Sequence, residues 1–238
     1  IYVTSNSTQG DKIDELIKFI KDSKLNTMVI DVKDDEGNIT MKLNTGNKQV
    51  DKNTLDIVDG KKLLKKLHNN NIYPIARIVT FKDTKLAEEH PEWSFKESDG
   101  SVWTNGKGDS FVNPFMKEVW DYDITVAKAA AKTGFQDIQF DYVRFPEGFE
   151  NEADSLTYSK GDYKNSKLSS GDQRVDTITK FLEHANKELK PMGVNVSADV
   201  FGYSALVKNA PGIGQSFPKI SKNVDAISSM IYPSHWSN

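Results

Sequence analysis

Asp31, Arg77, Asp141, Asp199 and Tyr232 each stand in the second half of a segment that is otherwise mostly apolar: "NTMVIDVKDD", "IYPIARIVTF", "DIQFDYVRF", "VNVSADVF" and "DAISSMIYP". Successive side chains alternate faces along a strand. By that parity Val29, Asp31 and Lys33 share a face, as do Ile75, Arg77 and Val79. The same holds for Gln139, Asp141 and Val143, for Asn195, Ser197 and Asp199, and for Ser228, Met230 and Tyr232. Parallel strands in a barrel would turn the opposite, apolar parity to the helices and bring these polar ends together. Gathering three carboxylates is costly unless they are paired. An ion pair of Arg77 with Asp31 would satisfy one of them and leave two. Two acids in one cleft supply paired-carboxylate acid–base or nucleophilic chemistry, which suits cleavage of a glycosidic bond. Trp93, Trp103, Tyr203, Tyr232 and Trp236 could stack on sugar rings. Arg144 is out of phase with Asp141 and is expected past the strand end, on the rim.

Other chemistries find little support. The four histidines, His68, His90, His184 and His235, are scattered and form no zinc-type signature, so no metal is expected. A cation site at Asp31, Asp34 and Asp35 is the one metal arrangement that the spacing leaves open. No phosphate-binding glycine loop, dinucleotide fingerprint or serine-hydrolase elbow is present, and no cofactor is expected. The chain has no cysteine, which removes thiol nucleophiles and disulfides. A net charge of −3 argues against a nucleic-acid partner. The basic run "DGKKLLKKLHNNN" has leucines at helical spacing and reads as the solvated face of an amphipathic helix. No apolar run approaches the roughly 18 residues of a membrane span.

The elements that must position these groups alternate in type. Strand patterns at 1–5, 26–35, 72–81, 137–145, 194–201 and 225–233 are separated by helical patterns at 11–24, 59–71, 113–135, 172–193 and near 215–222. Asn113 is the expected cap of the long central helix, with Pro114 at its first position. Three longer irregular stretches, 37–50, 90–115 and 147–171, each follow a strand. They are therefore expected at the C-terminal end of the sheet, where barrel enzymes place their sites. The prediction is an α/β fold of the TIM (β/α)8 type, with residues 1–238 as a single barrel domain lacking its last two βα units. Two such units would need on the order of 60 further residues. Nothing in the sequence fixes an oligomeric state.

Four stretches, "VIDVKDDEG", "VNPFMKEVWDY", "GFQDIQFDYVRFP" and "MIYPSHW", taken in order, resemble a bacterial family of TIM-barrel domains described as glycoside hydrolases. The resemblance implies a carbohydrate substrate, such as a polysaccharide or cell-wall glycan, and a secreted or cell-envelope location. It implies an essential carboxylate at the end of the fourth strand, which is Asp141, as nucleophile or general base. Asp199 is then the best acid available as its partner. Asp31 and Arg77 would tune the pair or bind sugar hydroxyls, with Arg144, Trp103, Tyr232, His235 and Trp236 contacting substrate. Two alternatives remain at this point: a non-catalytic carbohydrate-binding barrel that keeps the cleft, and a barrel enzyme of another class.

Overall fold

A computed structural model describes residues 1–232, so His235 and Trp236 lie outside the described residues. β1 (Tyr2–Val3) leads to α1 (Gly10–Lys21) and β2 (Thr27–Lys33). The excursion expected after that strand is β3 (Ile39–Met41), α2 (Lys48–Lys52) and β4 (Thr54–Val58). α3 (Gly60–Asn69), β5 (Tyr73–Val79), α4 (Thr84–Glu89), α5 (Lys117–Thr133) and β6 (Asp137–Asp141) follow. The chain continues through α6 (Phe149–Glu152), α7 (Ser170–Leu189), β7 (Asn195–Phe201), α8 (Phe217–Ile220) and β8 (Ala226–Met230).

β1, β2, β5, β6, β7 and β8 pair in that order, and every pairing is parallel. These are the six strands expected from the sequence. β3 pairs antiparallel with the end of β2 and carries β4 on its far side. Among the described residues β1 and β8 each have one neighbour, so the sheet is an open arc of the barrel type.

The helices form because their apolar residues repeat on one face. Ile13, Ile17 and Ile20 of α1, and Leu63, Leu64 and Leu67 of α3, are buried against the sheet. Side chains cap helix starts: at α3 Asp59 accepts from the Lys62 N–H, and at α7 Ser169 accepts from the Asp172 N–H. The sheet offers its apolar parity to the helices, with Met28, Ile30, Ala76, Ile78, Ile138, Phe140, Val196 and Ala198 all fully buried. Phe181 of α7 meets the rings of Phe81, Phe140 and Trp120 there. Full burial of one such side chain contributes about 1.5–3 kcal/mol.

Two sequence expectations are corrected. The central helix begins at Lys117, not Asn113. Asn113 accepts from the Phe115 N–H and donates to the Ser159 carbonyl, while the Pro114 carbonyl accepts from the Trp120 indole. That turn is tied to the 147–171 loop and to a tryptophan of the helix, so it cannot continue the helix upward.

The second correction concerns Lys33. Asp31 is in register with Arg77, but Lys33 is in register with Ile78, so β2 carries an extra residue between them. The bulge turns Lys33 away from Asp31 and toward the helices. Its Nζ lies 2.7 Å from a carboxylate oxygen of Asp83 and 2.7 Å from one of Asp123, with all three side chains fully buried. It also donates to the Thr80 carbonyl at 3.1 Å. Burial alone would strip the ammonium of its proton, but Asp123 and Asp83 outweigh it and raise the Lys33 pKa. The turn after Lys33 needs Gly37: its φ is +95°, and an added Cβ would collide with the Asp83 carboxylate.

Lys33→Met should leave two buried carboxylates without their cation and cost about 3–5 kcal/mol in urea denaturation. Asp123→Asn should cost less, because burial already pushes the Asp123 carboxyl up to about 7 against the pull of Lys33.

Candidate active site

The inward parity of the parallel strands assembles the site. Asp31, Arg77, Gln139 and Ser197 share one rung across β2, β5, β6 and β7. Pairing of β6 with β7 ends at Phe140 and Ala198, so Asp141 and Asp199 occupy the next positions along the two strands. Asp199 is in register with Ser228 of β8. Tyr2, Val29, Asp35, Arg77, Gln139, Asp141, Asp199, Ser228, Ser229, Met230 and Tyr232 line one cavity of about 510 Å³ at this end of the sheet.

Arg77 is the hub. Its Nε and Nη2 donate to one oxygen of Asp141 at 3.0 and 2.7 Å, and its Nη1 donates to Asp31 at 2.8 Å. Longer contacts of 3.3 and 3.4 Å reach Asp35. Burial opposes its charge, but Asp141, Asp35 and Asp31 overcome that and raise its pKa further. The second Asp31 oxygen accepts from the Tyr2 hydroxyl at 2.7 Å, and the Tyr2 ring lies 5.4 Å from the guanidinium. Burial raises the Asp31 pKa, with Arg77 and Tyr2 working the other way. Asp34 is absorbed locally, accepting from the Glu36 and Asn38 backbone N–H groups, and Asp35 turns to Arg77.

The two central acids differ in their surroundings. Both Asp141 oxygens accept from N–H donors: one from Arg77, the other from the Tyr142 backbone at 2.7 Å. Asp199 has no such support. Its Oδ1 is buried with no hydrogen-bond partner among the described residues. Burial, then the neighbouring Asp141 charge, push its carboxyl up to about 7, against Arg77 and the Ser228 hydroxyl. One acid is thus held by donors while the other keeps its proton near neutrality, the division of labour that acid–base pairs use.

Of the residues singled out in the sequence, Asp31, Arg77, Asp141 and Asp199 come together and Tyr232 lines the same cavity. Arg144 lies past the end of β6, but it is buried and lines a different cavity. Trp103 belongs to neither: it is buried, and its indole donates to Glu152 at 2.9 Å, so no ring face is open to a sugar. Trp93 stacks on His90 with ring centres 3.8 Å apart. Sequence reasoning missed Tyr2 and Ser228 as partners of the acids. A phenol at the start of the first strand, in register with Val29, was the available signal for Tyr2.

A family model described as "Putative glycosyl hydrolase domain" matches residues 1–238. The chain belongs to that family. A hypothetical protein from Ruminiclostridium thermocellum is similar in structure, with a TM-score of 0.71 and 30% identity over 84% of this chain and 97% of that one. The PgaB (BpsB) glycoside hydrolase domain from Bordetella bronchiseptica aligns over 97% of this chain and 73% of that one, at a TM-score of 0.66 and 13% identity. An alpha-amylase from Lactobacillus plantarum aligns over 95% of this chain but 51% of its own, at a TM-score of 0.60 and 15% identity. These last two likenesses establish the barrel-type fold alone. No curated protein matches the chain.

The raised Asp199 pKa carries a stability consequence. Below about pH 4 the acid is protonated in both folded and unfolded chains. Between 3.8 and about 7 the unfolded chain releases the proton and the folded one keeps it, so this group's contribution to stability falls as pH rises. The loss is about 1.4 kcal/mol per pH unit across that window, as an upper bound. Asp199→Asn should therefore match the wild type in urea denaturation near pH 4 and exceed it near pH 8.

Proposed function

We propose that this glycosyl hydrolase family domain cleaves glycosidic bonds with Asp199 as the general acid and Asp141 as the nucleophile. The observation that carries the reading is the pair itself. Asp199, its pKa pushed up to about 7, sits one strand from Asp141, which Arg77 and a backbone N–H hold in place. Neighbouring strands run about 4.8 Å apart. That spacing fits the roughly 5–5.5 Å carboxylate separation of retaining enzymes better than the 6.5–9.5 Å of inverting ones.

In the first step an Asp141 oxygen bonds to the anomeric carbon while the Asp199 carboxyl protonates the departing glycosidic oxygen. Asp199, now a carboxylate, then takes a proton from water as that water displaces Asp141 and releases the sugar. The fork on one Asp141 oxygen fixes the attack direction, and the reacting oxygen, which accepts from the Tyr142 N–H, keeps a further lone pair for the anomeric carbon. Asp31 and Asp35 hold Arg77 rather than the sugar. Tyr232 offers a ring to the substrate at the cavity wall. Membership of the family supports a carbohydrate substrate, and a cell-envelope or other extracellular polysaccharide is the proposed one. The acid must be protonated in the free enzyme, so kcat/KM should fall as pH rises through about 7.

The test is release of new reducing ends from a panel of purified wall and capsular polysaccharides. The wild type should cleave at least one with retention of anomeric configuration by NMR. Asp141→Asn should show no turnover, and Asp199→Asn a loss of about 10²–10⁴-fold. Binding without cleavage by all three proteins would instead assign a carbohydrate-binding barrel. Equal cleavage by Asp141→Asn would remove that residue from the chemistry.

A further inference from the structure

A second cavity, of about 480 Å³, is lined by Tyr142, the residue that directly follows Asp141 of the first. Its walls include Lys82, Lys107, Tyr142 and Arg144, with Asp109 and Glu147 as the acids among them. Arg144 is 5% exposed. Its guanidinium carbon lies 4.7 Å from the centre of the Phe201 ring, 4.9 Å from that of Tyr142 and 5.7 Å from that of Phe111. Lys82 stands 5.2 Å from the same Tyr142 ring. Three rings around a guanidinium hold it in place, so an oxyanion would be met by its N–H groups, one of which now faces Glu147.

The cation is poorly compensated from within. Nη1 donates to the Phe145 carbonyl at 3.1 Å, and Nη2 reaches Glu147 at 3.2 Å. The Glu147 side chain is 69% exposed, so its carboxylate is a solvated partner that can swing off at little cost. Lys82 is paired with Asp109 at 3.2 Å. Burial lowers the Arg144 pKa, opposed first by Glu147, which is the direction expected for a charge short of counter-charge. The backbone is also strained to make this arrangement. Tyr142 has φ +48°, in the left-handed region that a bulky residue rarely adopts. It brings the ring to Arg144 and Lys82 while its N–H holds Asp141.

We infer that Arg144, with Lys82 and the Tyr142 ring, forms a subsite for an anionic substituent of the glycan, a carboxylate or a phosphate, with Glu147 holding the place that the ligand's anion takes. In calling that ligand part of a substrate, the inference rests on the hydrolase reading. Binding of the anion does not depend on turnover, so the two can fail separately.

The chain has three arginines, Arg77, Arg144 and Arg174, so arginine-selective ¹⁵N labelling gives three Nε–H signals. Titration of the intact protein with glucuronate, inorganic phosphate and glucose separates the sources. A saturable shift of the Arg144 signal with glucuronate assigns an acidic sugar, and one with phosphate alone assigns a phosphorylated glycan. Glu147→Gln, an exposed change that should leave folding intact, should tighten anion binding several-fold by removing the competing carboxylate. Arg144→Gln removes that signal, so its binding is followed by titration calorimetry, and it should weaken anion binding about ten-fold or more. The proposal is overturned if neither anion moves the Arg144 signal, if glucose moves it equally, or if Glu147→Gln leaves the affinity unchanged. It survives a protein that binds the anion and cleaves nothing, which would sink only the hydrolase reading.

Discussion

The site depends on one constraint: several carboxylates converge at the end of a parallel sheet, where water is scarce, and a single guanidinium must hold them. Arg77 reaches Asp31, Asp35 and Asp141 from a rung below the last of them. A lysine could not do this, because a point charge cannot present two parallel donors to one carboxylate and a third to another. Asp199 receives none of the fork's hydrogen bonds, and burial, then the neighbouring Asp141 charge, push its carboxyl up. The asymmetry between the two acids therefore owes much to the placement of one cation.

The molecule separates two buried charge clusters by the two faces of β2. Asp31 turns inward to Arg77, and Lys33 turns outward to Asp83 and Asp123. The outward cluster joins the end of β2 to the start of α4 and to α5, bracing the loops that flank the cavity. Both carry an acid whose carboxyl is pushed up to about 7. Among the described residues the inward one lines a cavity and the outward one is fully buried, so similar electrostatics serve bracing on one face and the candidate site on the other.

Much of this was legible in the sequence because strand parity is a strict rule. Arg77, Asp141, Asp199 and Tyr232 were brought to one face by counting in twos, and the cavity contains them all. Counting failed where the backbone breaks the period: the bulge after Asp31 reverses Lys33, and no residue type in "DVKDD" marks it. Asn113 read as a helix cap because its neighbour is proline, yet its side-chain amide donates to a loop more than forty residues away. Trp103 illustrates a different limit. An aromatic residue in a glycine-rich loop looks the same in sequence whether its ring faces solvent or packs beneath the loop.

The two long loops also behave as one object. Lys96 and Thr157 exchange both backbone hydrogen bonds, at 3.0 and 2.8 Å, and Phe95 packs on Phe145, Phe149 and Tyr158. Neither loop can be replaced alone without stranding the other's backbone groups and rings. A change of shape in one must then be matched in the other, so the 90–115 and 147–171 segments should carry a joint evolutionary record rather than two separate ones.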